Sequence, residues 1–339
     1  MLKRSHLKKK IVCIGGGTGV STVIKALKGK ADLAAILAMF DNGCSTGQIR
    51  REFGLPPMGD LRQCLIAFAE DQRLVPFLKY RFEKGFLKGH NLGNILLAAG
   101  ASAGGCEKAL EDIGKILEIK GKIFPVTLDN SDIEVLLDNG KIVKGEEEIV
   151  NCPDLSRVGF RDIYLTPRAQ ADPKALAAVK KADIIIIGPG KFYTSLMPNF
   201  LVEGMAEAVR GSKAKKILIC NLMTQPGNTD GFTVEKFTEE AERFLGGKDP
   251  IDRVVFNNKK PPEGILKKVS KIFKGSKFVG YGSDISRNKK FVGADLLAEN
   301  LQEINPADVL AKGVNKRTMV VHDIKKLSKI LLKIANSRF

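Results

Sequence analysis

Short apolar runs alternate along the chain with stretches in which apolar residues recur at helical spacing. The run over residues 11–14 is followed by such a helical stretch, Leu33 to Phe40 is nearly continuously apolar, and Ile184 to Ile187 is apolar throughout. Strands buried on both faces of a parallel sheet have this near-continuous apolar character. The pattern therefore predicts an α/β fold built on a mostly parallel sheet.

Two stretches interrupt the alternation of strands and helices. Residues 56–119 are mostly helical, and Asp60 is placed to cap the first of these helices. Residues 123–150 alternate apolar and polar positions around Asn139-Gly140, which is a two-residue hairpin signal. We therefore predict a helical insertion at about 56–119 and a small β-hairpin excursion at about 123–150.

The α/β alternation resumes after these interruptions. A strand ending at 163–165, the strand at 184–187 and another at 217–220 are each expected to join the parallel sheet. No repeat or low-complexity segment separates the parts of the chain. We therefore expect a basic tail over residues 1–10 and a single domain over residues 11–339.

The glycine-rich turn after the first strand is the most informative stretch. Gly15-Gly16-Gly17-Thr18-Gly19 joins a strand to a helix, and the first amides of a helix have no partner inside it. Such amides bind phosphate, and glycine lets a diphosphate approach the backbone. The spacing is neither a Walker A loop nor the dinucleotide fingerprint, which needs glycine where Val20 stands. The alternative is a glycine turn that only lets the helix pack close to its strand.

Four predicted strands end in loops rich in small and polar residues, at 15–19, 41–47, 188–195 and 221–227. In an open parallel sheet, ligands bind outside the carboxyl ends of the strands, where the strand order reverses. We therefore expect all four loops to face one binding cleft.

Asp41, at the end of the second strand, has three interpretations that the sequence leaves open. An acid at this distance from the first glycine loop is able to hold a ribose hydroxyl, as in dinucleotide-binding folds. It is also placed to bind a metal ion or to transfer a proton beside a bound phosphate. The structural alternative is a helix cap or an Asx turn.

Ser45 lies in Gly43-Cys44-Ser45-Thr46-Gly47, which matches the G-x-S-x-G pattern of α/β-hydrolase nucleophiles. His90 and His322 are the histidines available as its base, and neither has a companion signature. A hydroxyl that donates to a phosphate is the favoured interpretation of Ser45. His90 and Asn91 begin an apolar helix, where they either present donors to a ligand or cap that helix.

Composition limits the classes of function. The 339 residues carry a net charge of +17, but tryptophan is absent and aromatic residues are only 6%, so we predict a lysine-rich solvated surface and not nucleic-acid binding. Six scattered cysteines without a C-x-x-C motif predict reduced thiols and no zinc site. No apolar run reaches the ~20 residues of a membrane span. We therefore expect a cytoplasmic protein with no membrane span.

Seven motifs occur in a fixed order along the chain. They are Gly15–Gly19, Asp41–Gly47, Pro56–Arg62, Gly89–Asn94, Gly188–Gly190 with Tyr193–Leu196, Asn221–Gly227 and His322-Asp323. Together they resemble the gluconeogenesis factor (YvcK-type) family, in the superfamily that includes 2-phospho-L-lactate transferase. The resemblance runs from about residue 11 onward and implies a Rossmann-like three-layer fold with a helical insertion.

The resemblance also implies a function. It suggests a cytoplasmic bacterial protein tied to cell shape and envelope synthesis during gluconeogenic growth, with a nucleotide-sugar ligand such as UDP-N-acetylglucosamine and a regulatory role. This sequence departs from the family where Asn42 and Cys44 replace an acid and a glycine, where Met58 is inserted, and where Lys191 and Val321 replace a common serine and arginine. The lost carboxylate at position 42 weakens a two-acid magnesium site.

The predicted ligand-binding residues come from the loops and from the helix starts beside them. They are Gly15, Gly16, Gly17, Thr18, Gly19, Asp41, Asn42, Gly43, Ser45, Thr46, Gly47, Arg50, Gly59, Asp60, Arg62, His90, Asn91, Asn94, Gly188, Pro189, Gly190, Tyr193, Thr194, Ser195, Asn199, Asn221, Met223, Thr224 and Gln225. Asp41, Asp60 and His90 are the catalytic candidates, and Asp41 is the candidate ligand for Mg²⁺.

Two functional hypotheses follow. In the first, a nucleotide-sugar-binding regulator holds the diphosphate with the loops at 15–19 and 188–195. Asn221 and Thr224 contact the base or ribose, and Asp41 and His90 face the sugar. In the second, a Mg²⁺-dependent transferase of the 2-phospho-L-lactate transferase type moves a phosphate-linked group onto a hydroxyl acceptor. The sequence leaves open whether the chain forms a homo-oligomer.

Overall fold

The computed structural model of the protein describes residues 8–272, 275–299, 310 and 320–337. The strands in these residues are β1 (Lys10–Gly15), β2 (Asp32–Leu37), β3 (Lys122–Pro125), β4 (Asp132–Leu137), β5 (Ile142–Lys144), β6 (Phe160–Thr166), β7 (Ile184–Ile187), β8 (Lys215–Ile219), β9 (Arg253–Asn257) and β10 (Phe291–Ala294). The α-helices are α1 (Gly17–Leu27), α2 (Cys44–Phe53), α3 (Gly59–Phe68), α4 (Val75–Lys79), α5 (Leu92–Gly104), α6 (Cys106–Ile116), α7 (Glu146–Val150), α8 (Leu155–Val158), α9 (Pro173–Lys181), α10 (Met205–Gly211), α11 (Val234–Leu245), α12 (Glu263–Ile272) and α13 (Ile324–Asn336).

Seven of the strands form one sheet, in the order β10-β9-β8-β7-β1-β2-β3. Every neighbouring pair in this sheet is parallel. The chain adds β2 and β3 on one side of β1 and the later strands on the other, so the strand order reverses between β1 and β7. The carboxyl ends of these two strands therefore form the crevice in which α/β proteins bind ligands. The predicted three-layer α/β fold is confirmed.

The central strands are buried because their sequences are apolar throughout. Cys13 of β1 pairs with Ala35 of β2 and with Ile186 of β7. None of these three side chains is more than 1% exposed. Helices cover such strands on both faces in parallel sheets.

The predicted helical insertion is present as α3 to α6, between β2 and β3. Its first helix, α3, packs against α1. Met58 is the N-cap residue of α3, and no side chain of the described residues caps this helix. The prediction that Asp60 caps it was wrong, because Asp60 is the second residue of the helix and lies within its first turn.

The predicted hairpin excursion has different bounds. Lys122–Pro125 is β3, an edge strand of the main sheet, and the hairpin consists of β4 and β5 with Asn139-Gly140 at its tip. The strand ending at 163–165 was expected in the main sheet, but it is β6 and pairs antiparallel with β4. Polar residues alternate with apolar ones in β6, which suits a strand with one face toward solvent.

Two further expectations need adjustment. The segment after β7 forms a π-helical turn at Phe192–Leu196 and a 3-10 turn at Met197–Phe200 instead of one α-helix from Thr194. Of the predicted basic tail, residues 1–7 lie outside the described residues, and Lys10 belongs to β1. In the part of the chain that the structure describes, no helix combines the length and apolar character needed to cross a bilayer.

Candidate functional site

One cleft of about 320 Å³ lies at the carboxyl ends of the parallel strands, and all four predicted loops contribute to its lining. The predicted site residues that line it are Gly16, Gly17, Thr18, Gly19, Asp41, Gly43, Ser45, Thr46, Gly59, Asp60, Arg62, Asn94, Pro189, Gly190, Ser195, Asn221, Met223, Thr224 and Gln225. The four loops therefore meet at one crevice, as their positions after parallel strands predict.

Two glycines of the first loop bring segments of the protein together. A Cβ on Gly19 would lie 1.7 Å from the carbonyl oxygen of Pro189, so only glycine lets α1 approach the loop after β7. A Cβ on Gly17 would lie 2.5 Å from Cα of Asp60, so α1 and α3 begin side by side. Close packing, the alternative interpretation of this glycine turn, thus holds for both positions. Both glycines also line the cleft, so packing and ligand binding are compatible.

The first turns of α1 and α2 face the cleft without a cap. The N-cap residues are Gly16 and Gly43, and neither has a side chain to accept a hydrogen bond from the first amides of its helix, as the N-cap Asn91 does for α5. Both glycines are buried and line the cleft. Uncapped amides at the positive end of a helix dipole favour an anion. This edge of the cleft is therefore suited to a phosphate group.

Three carboxylates and one ammonium group form a charged cluster in the cleft. Nζ of Lys191 lies 2.8 Å from Oε1 of Glu146, whose side chain is only 4% exposed. Burial lowers the pKa of Lys191, but Glu146, Asp41 and Asp60 outweigh this effect and raise it. The Lys191 ammonium is therefore charged and neutralises part of the acidic cluster.

Asp41 is held in two ways within this cluster. Its Oδ1 accepts a hydrogen bond from the N–H of Gly43 at 3.0 Å, so the predicted Asx turn is present. The pKa of Asp41 is raised to about 7, mainly by burial and further by repulsion from Glu146 and Asp60. Lys191 and the N–H of Gly43 act in the opposite direction and lower it. The carboxyl also lines the cleft. Asp41 is therefore able to gain or lose a proton near neutral pH beside a ligand.

The small antiparallel sheet places Glu146 in the cleft. β5 leads through Gly145 into α7, whose first residue is Glu146. Oδ1 of Asn42 accepts a hydrogen bond from the N–H of Glu147 at 2.8 Å, and Nδ2 of Asn42 donates to Glu148 at 3.2 Å. Asn42 therefore fixes α7, and with it Glu146, against the second loop.

The charged cluster does not fit a magnesium ion. Mg²⁺ needs oxygen ligands at about 2.0–2.1 Å in octahedral geometry. The Glu146 oxygen that faces the cluster is instead paired with the Lys191 ammonium. Nowhere in the described residues is a group of three or more His, Cys, Asp or Glu side chains arranged to hold a metal ion. Asp41 as a metal ligand stays a prediction.

Ser45 lies where the starts of α2 and α5 meet. Its Oγ is 3.3 Å from Nδ1 of His90 and accepts a hydrogen bond from the N–H of Asn91 at 3.3 Å. The Asn91 side chain accepts a hydrogen bond from the N–H of Asn94 at 3.2 Å, so of the two alternatives left open for this helix start, capping holds for Asn91. Ser45 and Asn94 line the cleft, whereas His90 and Asn91 do not.

Other predicted site residues also lie outside the lining. With His90 and Asn91, they are Gly15, Asn42, Gly47, Arg50, Gly188, Tyr193, Thr194 and Asn199. Arg50 forms an ion pair with Asp132 at 2.8 Å, and Asn199 donates to two backbone carbonyl groups at 2.9 Å. Tyr193 packs edge-on against Phe192. These three side chains support the walls around the cleft.

The loop after β8 forms a more apolar part of the cleft. Apolar residues in this part are Leu222, Met223, Pro226, Val320 and Val321. The Asn221 amide bonds both the N–H and the carbonyl of Gly190, at 3.3 and 2.8 Å, and the Thr224 hydroxyl accepts from the N–H of Lys277 at 3.0 Å. Among the described residues, Nε2 of Gln225 is buried and has no hydrogen-bond partner. Its amide group is therefore available to a ligand.

Several lining residues with polar or charged side chains were missed from the sequence, among them Gln63, Arg81, Glu146, Lys191 and His322. Lys191 lies inside the predicted loop at 188–195, directly after Gly190, and that position was a usable signal. Glu146 gave no signal, because a run of three glutamates is typical of a solvated surface. Burial lowers the pKa of His322 to about 4, so its ring is neutral at physiological pH.

Comparison with known proteins agrees with this fold. A family model described as 2-phospho-L-lactate transferase CofD matches residues 11–302. The chain is 37% identical over 334 residues to a Thermotoga maritima protein, covering 96% of this chain and 99% of that one. It is 34% identical over 331 residues to the Bacillus subtilis gluconeogenesis factor, covering 96% and 98%. The crystal structure of a UPF0052 family member from Bacillus halodurans has a TM-score of 0.83 and 31% identity, covering 96% and 99%. The chain therefore belongs to the gluconeogenesis factor family, within the group of proteins that share the CofD fold.

Proposed function

We propose that the protein binds a nucleotide sugar of the UDP-sugar type and acts as a regulator without turning it over. The observation that carries this proposal is the uncapped start of α1 at the point where the strand order reverses between β1 and β7. Gly17, Thr18 and Gly19 of that first turn line the cleft. A helix start of this kind favours a phosphate group. A diphosphate bound there would accept hydrogen bonds from amides that the N-cap residue, Gly16, has no side chain to satisfy.

The other parts of the cleft suit the two ends of such a ligand. Met223 and its apolar neighbours offer a surface for a base, and the Gln225 amide supplies a hydrogen-bond donor. Asp41, Asp60 and Ser45 offer oxygen atoms that accept hydrogen bonds from sugar hydroxyls. The ligand class therefore combines a base, a diphosphate and a polyhydroxyl group.

We place this binding activity in the cytoplasm. The name of the Bacillus subtilis relative, gluconeogenesis factor, supports a role during growth on gluconeogenic carbon. UDP-sugars are precursors of the bacterial envelope, so a protein that binds them is suited to link carbon supply to cell shape. In this proposal, the bound state is the signal and a partner reads it.

Native mass spectrometry of protein purified from its host tests the ligand directly. We expect a retained mass that matches a UDP-sugar. Calorimetry with UDP-N-acetylglucosamine, UDP and a GDP-sugar then ranks the ligands, and we expect the UDP-sugar to bind most tightly. Failure of all nucleotide sugars to bind, or a clear preference for the GDP-sugar, contradicts the proposal.

A variant of Gln225 tests the position of the base. Gln225→Ala should weaken binding of UDP-N-acetylglucosamine by about fivefold, because a hydrogen bond contributes on the order of 1 kcal/mol. The matched control is Gln170→Ala, since Gln170 is exposed and does not line the cleft. Equal affinity of both variants would place the base elsewhere.

A transferase that moves a phosphate-linked group onto a hydroxyl acceptor is the second candidate. The observation that favours it is the match to a family model described as a 2-phospho-L-lactate transferase. Incubation with UDP- and GDP-linked donors, followed by mass spectrometry with and without Mg²⁺, separates the two candidates. Release of nucleotide or a new covalent product favours the transferase, whereas an unchanged ligand favours the regulator.

A further inference from the structure

Lys191 holds an unusual place in the cleft. It follows Gly190 in the loop after β7, and its ammonium pairs with Glu146 at 2.8 Å. Asp41 and Asp60 act on the same ammonium group. Three acidic side chains from separate segments of the chain thus face one cation, and that cation belongs to the protein.

We propose that the Lys191 ammonium is the built-in cation of this cleft and takes the place of a divalent metal, so that a diphosphate binds without Mg²⁺. This inference rests on the proposed nucleotide-sugar function. It names a property that this function leaves open, namely the source of positive charge at the diphosphate.

The charges next to Lys191 explain why a cation is needed there. Arg62 and Arg81 also line the cleft, but their guanidinium groups donate to the carbonyl groups of Leu78 and Gly89. Asp41, Asp60 and Glu146 would repel a diphosphate, and the amides of α1 offset only part of this repulsion because a helix start carries roughly half a positive charge. Many proteins solve this problem with Mg²⁺ shared between carboxylates and phosphates. Here an ammonium already contacts the Glu146 carboxylate, and it is a point charge with three donors that binds phosphate well.

The surrounding structure holds the partner of this lysine in place. Glu146 is buried, and Asn42 fixes α7 by accepting a hydrogen bond from Glu147. The Thr194 hydroxyl also donates to the Glu146 carboxylate, at 3.5 Å. Lys191 therefore pairs with a preorganised carboxylate, and a divalent ion would have to displace the ammonium to reach it.

The first experiment measures metal binding without any nucleotide. Mn²⁺ is titrated into the full-length chain, and free Mn²⁺ is followed by electron paramagnetic resonance. We expect the wild-type chain to leave Mn²⁺ free and Lys191→Ser to bind one ion per chain, because without the ammonium the side chains of Asp41, Asp60 and Glu146 are able to turn toward one ion. Glu146→Gln added to Lys191→Ser should remove that site. The inference is overturned if the wild-type chain binds Mn²⁺ at a site that Glu146→Gln abolishes. It is also overturned if Lys191→Ser folds but binds no Mn²⁺.

A matched control separates the cleft from lysines in general. Lys174 also forms an ion pair at 2.8 Å, with Glu107, and both residues lie outside the cleft. Lys174→Ser should behave as the wild type in the Mn²⁺ titration. Circular dichroism shows whether each variant folds, and Lys191→Gln replaces Lys191→Ser if the shorter side chain prevents folding.

The second experiment measures UDP-N-acetylglucosamine binding by calorimetry in EDTA and in Mg²⁺. The wild-type affinity should be the same in both, whereas Lys191→Ser should lose at least about tenfold in EDTA and recover part of it in Mg²⁺. Wild-type binding that requires Mg²⁺ overturns the inference and leaves the proposed function standing. Absence of wild-type binding in either buffer counts against the proposed function, and the Mn²⁺ titration still decides the role of Lys191.

Discussion

Two groups of helix starts in this molecule differ in how their first amides are satisfied. α9 and α11 begin outside the cleft, and the side chains of Asp172 and Thr233 cap them. α1 and α2 begin in the cleft after Gly16 and Gly43, and the described structure contains no side-chain cap for either. The N-cap residues of α9 and α11 thus satisfy a first amide of their helices, whereas α1 and α2 have at the same position a glycine, which has no side chain to do so.

α6 shows that an uncapped start is not by itself a site. It also begins after a glycine without a side-chain cap, but Gly105 is exposed, so water is able to satisfy those amides. Gly16 and Gly43 are buried and lie in a cleft. A buried N-cap glycine that itself lines the cleft, and not glycine alone, distinguishes the starts of α1 and α2.

The largest effect is expected at the contact that shapes the cleft. Gly19→Ala should lower the free energy of unfolding by about 3 kcal/mol, because the added Cβ would lie 1.7 Å from the Pro189 carbonyl oxygen and the backbone has to move. Urea denaturation measures this loss. Gly264→Ala is the matched control and should raise stability by up to about 1 kcal/mol. Apart from the neighbouring backbone of α12, no atom of the described residues lies within 4 Å of its Cβ position. Equal effects of the two variants would mean that α1 does not need this close approach.

The pH dependence of stability tests the charged part of the cleft. Asp41 has a folded-state pKa of about 7, well above the 3.8 of a free carboxyl group. The stability that protonated Asp41 contributes to the fold is fully present below pH about 4 and is lost as the pH rises through about 7. At higher pH the folded state has to hold a negative charge on Asp41 next to Glu146 and Asp60. Lys191 and the Gly43 amide offset this repulsion only partly.

Asp41→Asn isolates this effect. The neutral amide keeps the oxygen that accepts from the Gly43 N–H, so the variant should gain stability over the wild type between pH 4 and 7, by on the order of 2 kcal/mol. Unfolding of both proteins is measured in urea across this pH range. A difference that stays constant with pH, or changes in the opposite direction, would show that Asp41 ionises as an ordinary carboxyl group.

A smaller effect is expected at a capped helix start. Thr233→Ala removes the hydroxyl that accepts from the N–H of Lys236, and it should cost about 1 kcal/mol of stability. Ligand affinity should not change, since Thr233 does not line the cleft. Thr233→Ser keeps the hydroxyl and should keep most of the stability. Weaker nucleotide-sugar binding by Thr233→Ala would mean that capped and open starts are not functionally separate.

Local patterns predicted the main sheet because its strands are apolar at every position and end in recognisable loops. Ile184–Ile187 and the glycine turn at 15–19 were located correctly for this reason. β6 was assigned to the wrong sheet because periodicity describes one strand at a time and does not identify its partner. Strand pairing depends on contacts between segments that are far apart in the chain.

The cleft was predictable only in part, for a similar reason. Loops that follow parallel strands must meet at one edge, so Gly17, Asp41 and Gly190 were found. Glu146 enters the cleft from the small antiparallel sheet, and its position depends on the hydrogen bond between Asn42 and Glu147. No local pattern encodes a contact across more than 100 residues.

Cys44 provides the finest test of the difference between open and capped starts, because it is the first residue of α2 and lines the cleft. All six cysteines lie in the described residues, and Cys44 is partly exposed whereas the others are buried. Maleimide should therefore label the native protein at Cys44, and saturating UDP-N-acetylglucosamine should slow labelling several-fold because the ligand covers this helix start. Cys44→Gly should remove the label and, since position 44 has a φ of 50°, should raise stability by about 1 kcal/mol. Labelling that proceeds at the same rate with bound ligand would mean that the start of α2 stays open to solvent, and only α1 would then belong to the binding site.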